Sequence, residues 1–374
     1  MVVVAIFIEP APYILDLLRV TRQRNPDIQL RVYFISAALT QDWGSSLNDV
    51  AILLPASPWR ALRILTSNII RGQFDVLHLA GWGNPLMLCS LVIGGVFRRR
   101  ITIESDTQLP IGLVLWKRVI KRVLYPGLFA LADIVFPGGT RQKQYFLHYG
   151  VPERKIRIAR MTVDVTRIVR QSDEARLNKP NLLAKWHLPK EAVLFLYVGR
   201  LNIHKGGIHD LVEAFAKLSH LKNAWLVIAG DGELREYVES SVFRNDRIIY
   251  LGRLLPEKVF ELYALGDILV LPSHSENWGL VVNEAMAAGL PVIASDRVGC
   301  VDDLVLDGET GLIVPSCDVN MLADAMQKLA ENGPLRQRMG IAGRQRISAW
   351  RLEDESDILS AEWRGLKLET DDAL

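Results

Sequence analysis

The chain predicts an α/β fold of two Rossmann-like domains facing across a cleft. Three observations carry that expectation. Short apolar runs alternate with amphipathic helical stretches twice over, the pattern of parallel sheets with right-handed crossovers. A length of 374 residues suffices for two to three domains, each with its own core. Several of the apolar runs end in glycine-containing or polar turns that open into helices, the place where open sheets bind ligands.

In the first half, strands are expected near 2–8, 29–35, 50–54, 74–79, 100–104, 133–136 and 156–160, with helices near 11–24, 59–70, 84–97, 113–131 and 140–149. The opening run, Met1 to Ile8, has no basic residues before it and enters Glu9-Pro10, so it reads as a first buried strand rather than a signal peptide. The longest apolar stretch, Pro85 to Phe97, is interrupted by glycines and falls short of the roughly 20 residues a bilayer span needs. Residues 1–165 form the first domain. Residues 166–190, with Gln171-Ser172-Asp173-Glu174 and Asn178-Lys179-Pro180, are polar and read as a linker. The second domain, 191–349, places strands at 193–198, 226–229, 268–271 and 291–294, with helices near 206–220, 233–241, 256–264, 279–288, 318–331 and 334–347. A last helix follows at about 350–365.

Composition narrows the classes. A net charge of +2 gives no reason to expect a nucleic-acid partner. Three widely spaced cysteines, Cys89, Cys300 and Cys317, lack metal-ligand spacing and fit a reduced, cytoplasmic setting. No Gly-x-Gly-x-x-Gly follows either the first strand or the strand at 193–198, which argues against a dinucleotide oxidoreductase.

The chemistry concentrates in the second half. After the strand at 268–271, Glu276 lies in a polar loop and Glu284 on the helix that Trp278-Gly279 opens. That helix start, with Asn277, Trp278, Gly279, Leu280 and Val281 as the donor-binding surface, offers unpaired N–H groups and a positive dipole end, suited to a diphosphate. Upstream, Gly199-Arg200-Leu201 follows the strand at 193–198, and His204-Lys205-Gly206-Gly207 opens a helix. An Arg fork and a Lys point charge so placed suit charge developing on a leaving diphosphate. A further strand runs into Gly230-Asp231-Gly232, and Leu251-Gly252-Arg253-Leu254 follows the next.

In this order, Gly199-Arg200 with Lys205-Gly206, then Glu276 with Glu284-Ala285-Met286-Ala287-Ala288-Gly289, the chain resembles the retaining glycosyltransferases of sequence family four. The resemblance implies two Rossmann-like domains of the GT-B type, the first binding an acceptor and the second a nucleotide-diphosphate sugar linked through UDP or GDP. It implies a C-terminal helix, about 350–374, crossing back to the first domain. Arg200, Lys205 and Glu276 then act in catalysis, Glu276 orienting sugar hydroxyls. Glu284 accepts from the ribose, the backbone at Gly199, Gly230 and Gly232 lies against the donor, and Arg253-Leu254 seats the base. The first half resembles the family mainly in rhythm. Glu9-Pro10-Ala11-Pro12 stands where many members carry a glycine-rich turn, and Ile103-Glu104-Ser105-Asp106 where many carry a histidine. Asp106 is therefore the candidate for the reacting sugar or acceptor hydroxyl, with Glu104 second and His78 as a further cleft-lining residue. A nucleotide-sugar epimerase and a non-catalytic sugar-binding homologue share this architecture and remain alternatives.

Two expectations concern partners. Arg98-Arg99-Arg100, and Lys117-Arg118 with Lys121-Arg122 near Trp116 and Tyr125, make a basic, aromatic surface able to rest on anionic headgroups. That suits a glycan or lipid-linked acceptor in polysaccharide or lipopolysaccharide assembly, handled at the inner face of a membrane. The family needs no metal or cofactor, and no Asp-x-Asp occurs in the chain to hold a metal under a diphosphate. Transfer is expected to survive EDTA; a loss that magnesium restores would overturn the metal-free mechanism.

Overall fold

A computed structural model describes residues 1–37, 51–110, 112 and 114–371, with side chains described through Lys367. Two compact units appear, Met1–Met161 with Leu352–Leu374, and Thr162–Arg351.

The first unit contains β1 (Val2–Phe7), α1 (Pro12–Arg24), β2 (Gln29–Phe34), β3 (Ile52–Leu53), α2 (Pro58–Arg71), β4 (Val76–Leu79), α3 (Pro85–Val96), β5 (Arg100–Ser105), α4 (Leu115–Ala130), β6 (Ile134–Pro137) and α5 (Thr140–His148). Its strands pair in parallel in the order β3-β2-β1-β4-β5-β6. β1, β4 and β6 are buried along nearly their whole length, so they read as continuous apolar runs rather than alternating ones. The strand expected at 156–160 is a single bridge, Val135 to Ile156. Arg157 and Ala159 donate to β6 carbonyls, but the chain turns at Arg160 (φ 65°) before a ladder can form.

The second unit opens with α6 (Val165–Leu177) and α7 (Lys179–Lys185), where a linker is expected. The Asp164 side chain caps α6, accepting from the Arg167 N–H at 2.9 Å. Only a narrow stripe of α6 is buried, Val165, Ile168 and Ser172, which is why its composition reads as polar. Then follow β7 (Val193–Val198), α8 (Ile208–Lys217), β8 (Ala224–Ala229), α9 (Arg235–Arg244), β9 (Ile248–Tyr250), α10 (Pro256–Leu265), β10 (Ile268–Leu271), α11 (Leu280–Ala287), β11 (Val292–Ser295), α12 (Val301–Leu304), β12 (Gly311–Val314), α13 (Val319–Glu331) and α14 (Gly333–Ile347). Here the order is β12-β11-β10-β7-β8-β9, again all parallel. Counted within each unit, both sheets run 3-2-1-4-5-6, the doubly wound order that places a crevice where the winding reverses. The reversal falls between β1 and β4 in the first sheet and between β7 and β10 in the second.

The chain ends in α15 (Leu352–Asp371), which packs along α1 in the first unit. Leu352, Leu359, Trp363 and Leu366 join the core around Leu17 and Leu18. Arg24 forks onto Asp357 at 2.6 and 3.0 Å, and Arg364 reaches Asp27 at 2.8 Å. The Trp363 indole donates to Thr102 Oγ1 at 3.3 Å, tying the helix to β5.

Glu355 is buried in this seam, and burial, followed by the neighbouring Glu104 carboxylate, pushes its carboxyl well above the usual range. The folded chain therefore holds this proton to higher pH than the unfolded one. Its contribution is fully present below the unfolded value of about 4.3 and is lost as pH rises toward the folded value. Glu355→Gln is expected to raise the Tm at pH 8 and to flatten its decline from pH 5. Equal melting temperatures at pH 8 would refute the assignment.

Candidate functional site

Pairing Leu269 with Leu196 brings the end of β10 level with the end of β7. The loops leaving these two strands are stitched together by backbone. The N–H groups of His274 and Ser275 both donate to the Lys205 carbonyl, at 2.7 and 3.2 Å. A turn at 296–300 braces the same loop from behind, with Gly299 N–H donating to Glu276 O at 2.9 Å and Glu276 N–H to Arg297 O at 3.3 Å. The Lys205 ammonium pairs directly with Glu276 Oε2, and the Glu276 side chain is 15% exposed. The structure thus joins two residues that lie 71 positions apart in sequence.

The neighbouring strand ends converge by the same means. Gly199 N–H donates to Ala229 O and Gly230 N–H to Gly252 O, so the loops after β7, β8 and β9 lie side by side. A Cβ on Gly230 would stand 1.8 Å from the Gly199 carbonyl oxygen, so no other residue permits that approach. Gly232, exposed, continues this floor, and Arg253 and the half-buried Leu254 lie on the loop that starts at Gly252. Arg200 is half-buried at the end of β7, its carbonyl accepting from the Tyr197 hydroxyl at 2.9 Å.

Gly279 caps α11 in the left-handed conformation (φ 96°), and the half-buried Leu280 and Val281 form its first turn. Exposed Asn277 precedes it. Trp278 departs from expectation: its indole is buried, stacks against Trp350 at 5.5 Å and donates to Asn283 Oδ1 at 3.0 Å. It anchors the helix start from within the core, and its side chain is not available to a ligand. One helical turn on, Glu284 accepts from the Tyr263 hydroxyl at 2.8 Å. Burial pushes its carboxyl up to about 7, against the opposing pull of the Tyr263 hydrogen bond and of Arg167. Tyr263 and Arg167 lie outside the motifs, and no sequence signal marks them.

In the first unit, His78 proves to be a core residue. It is 1% exposed, packed among Phe7, Phe136 and Trp363, with Nδ1 at 2.9 Å from Thr102 Oγ1 and Nε2 at 3.2 Å from Glu104 Oε2. The register sets this up by pairing His78 with Thr102 across β4 and β5. From the core it reaches Glu104 through Nε2. Asp106, half-buried, follows the end of β5. These two carboxylates share a locality with Glu9 and Glu355: after burial, Asp106, Glu104, Glu355 and Glu9 in that order raise the Tyr13 phenol far above its ordinary value. Glu9, Tyr13 and Glu355 are absent from the sequence-derived site, although the replacement of a glycine-rich turn by Glu9-Pro10 was a usable signal. The triplet at 98–100 is less basic at the surface than it reads. Arg99 donates to the carbonyls of Ile69 and Ile70 and Arg100 pairs with Asp133, leaving exposed Arg98.

A doubly wound unit whose switch point carries a Lys–Glu pair, closely approaching glycine loops and a helix start has the kind of strand-end crevice in which open sheets bind ligands. Comparison with known proteins narrows the class. The family described as Glycosyl transferases group 1 matches residues 178–346. A D-inositol 3-phosphate glycosyltransferase of Thermobifida fusca is 30% identical over 320 residues, covering 78% of this chain and 70% of that protein. The chain belongs to this family. An alpha-D-kanosaminyltransferase of Streptomyces kanamyceticus is 36% identical over 150 residues, 39% of this chain, and the chain spans only 38% of that protein's length. Among solved structures, Anabaena HepE in complex with UDP superposes with a TM-score of 0.77 at 14% identity, over 98% of this chain and all of that one. That likeness is one of fold, shared with other GT-B glycosyltransferases.

Proposed function

We propose that this protein is a retaining glycosyltransferase that moves a sugar from a UDP- or GDP-linked donor to an acceptor hydroxyl in polysaccharide or glycolipid assembly. The Lys205–Glu276 pair at the β7/β10 switch point carries the proposal. A donor diphosphate entering beside the α11 N-terminus competes for the Lys205 ammonium and releases the Glu276 carboxylate to the sugar hydroxyls. Arg200, leaving the end of β7, adds a second cation. Charge on the departing diphosphate is then met by preorganised cations and backbone N–H groups rather than by a metal. Glu284, when ionised, accepts from the ribose. The reading is supported by the names of the relatives, which act as glycosyltransferases, and by the UDP held by the structural neighbour. On the acceptor side, Asp106 is the proposed contact to the reacting hydroxyl, with Glu104 held behind it by His78.

The site of action we assign is the cytoplasmic face of an anionic bilayer. Among the described residues, no helix is long and apolar enough to cross a membrane. α4, however, buries only Phe129. Leu115, Trp116, Val119, Ile120, Val123 and Leu124 are 46–71% exposed and fall on one helical face. Lys117, Arg118, Lys121 and Arg122 occupy the other side. A cationic helix with a solvent-facing apolar row is suited to lie in the headgroup layer, its side chains entering the acyl boundary.

Arg200→Ala or Lys205→Ala is expected to cut turnover by about 10²-fold or more, the scale of losing one transition-state charge contact, with little change in Tm. Calorimetry with free nucleoside diphosphate separates the two glutamates. Wild-type affinity should rise as pH passes upward through about 7, where Glu284 ionises. Glu284→Gln should weaken binding and lose that dependence, whereas Glu276→Gln should lower turnover with less effect on binding. Equal losses of affinity in both variants would mean the roles are misassigned.

The protein is also expected to sediment with anionic liposomes at low salt. Ser at Lys117, Arg118, Lys121 and Arg122 should abolish this while sparing donor hydrolysis. Because the apolar row contributes, salt should release only part of the bound protein, and Val119→Ser with Val123→Ser should make release complete. A wild type that ignores liposomes at low salt would favour a soluble acceptor.

A further inference from the structure

At the loop that carries Glu276, three side chains from distant segments come together. Asp210 lies on α8, His274 follows β10, and Cys317 sits in the turn after β12. One ligand atom from each lies within 4.8 Å of the others, and His274 Nε2 is 2.7 Å from Asp210 Oδ2. Donors on a tetrahedral ion at 2.0–2.3 Å stand roughly 3.3–3.8 Å apart. The cluster therefore needs only a slight opening of the His–Asp contact and a small movement of the exposed thiol.

A second observation is independent of that spacing. Cys317 has φ 65°, the left-handed region that glycine occupies without strain. Asp296 holds the turn in place by accepting from the Ser316 N–H at 2.9 Å. A cysteine in a conformation unfavourable for an L-residue, with its sulfur beside a histidine–aspartate pair, calls for an explanation beyond packing, because the residue is exposed.

We propose that Asp210, His274 and Cys317 bind a divalent transition-metal ion of the Zn2+ class. A thiolate, an imidazole and one carboxylate suit a borderline metal and not magnesium or calcium. Carboxylate and thiolate together neutralise a divalent ion, the imidazole stays neutral, and the thiol proton passes to solvent on binding. The fourth position is left to water. The bound ion clamps α8 and the β12 turn to the loop two residues before Glu276, so the site is regulatory or structural and stands apart from the transfer chemistry.

The test needs no sugar nucleotide, so it stands or falls separately from the proposed reaction. The EDTA-treated full-length protein is titrated with Co2+ and then with Zn2+. The expected result is a near-ultraviolet thiolate-to-cobalt band saturating at one ion per chain and displaced by Zn2+. It should be absent in Cys317→Gly, a change the positive φ favours and which should fold at least as well as the parent. Cys89→Ser should retain it, and Asp210→Asn should weaken binding about 10-fold or more. No band in the parent, a band surviving Cys317→Gly, or an affinity indifferent to Asp210→Asn would overturn the proposal.

Discussion

Pairing of β7 with β10, two strands with 69 residues between the end of one and the start of the next, is the constraint on which the second unit's site depends. It brings the loop with Lys205 against the loop with Glu276, and the backbone bonds to the Lys205 carbonyl then fix their relative height. Gly230 adds the third loop by allowing its backbone to touch that of Gly199. A shift of one residue in this pairing would turn the end of β10 to the opposite face and separate the ion pair. Long-range order in the sheet, rather than any local motif, makes these charges neighbours.

Much of this was legible because strands buried on both faces announce themselves as apolar runs, and their ends are where ligands bind. The runs at Val193–Val198 and Ile268–Leu271 were placed from the sequence to the residue. What failed did so for physical reasons. α6 hides its helical character because it buries a stripe only one residue wide at each turn. Trp278 looked like part of the ligand surface because it adjoins Gly279, yet the change of direction at the helix start turns its indole inward toward Trp350.

The first unit shows the opposite case. Its polar locality is assembled from β1, α1, β5 and α15, so no stretch of sequence contains it. Glu355 arrives from the far end of the chain, and His78 looks like a cleft residue in isolation but is buried beside Thr102 by the register of β4 on β5, with Glu104 in contact. Four carboxylates around one tyrosine, one of them raised well above its usual range, are a polar cluster that only tertiary structure creates.

The return of α15 has a consequence for the order in which the molecule can be made. Residues 162–351, 190 in all, separate the two parts of the first unit. At ribosomal rates of about 5–20 residues per second, that interval is roughly 10–40 s. By its end the second unit has every strand it needs, while throughout it the face of α1 around Leu17 and Leu18 lacks Leu359 and Trp363 to cover it. The half translated first therefore matures last. Through that interval the nascent chain carries an apolar surface that only its own final helix can close.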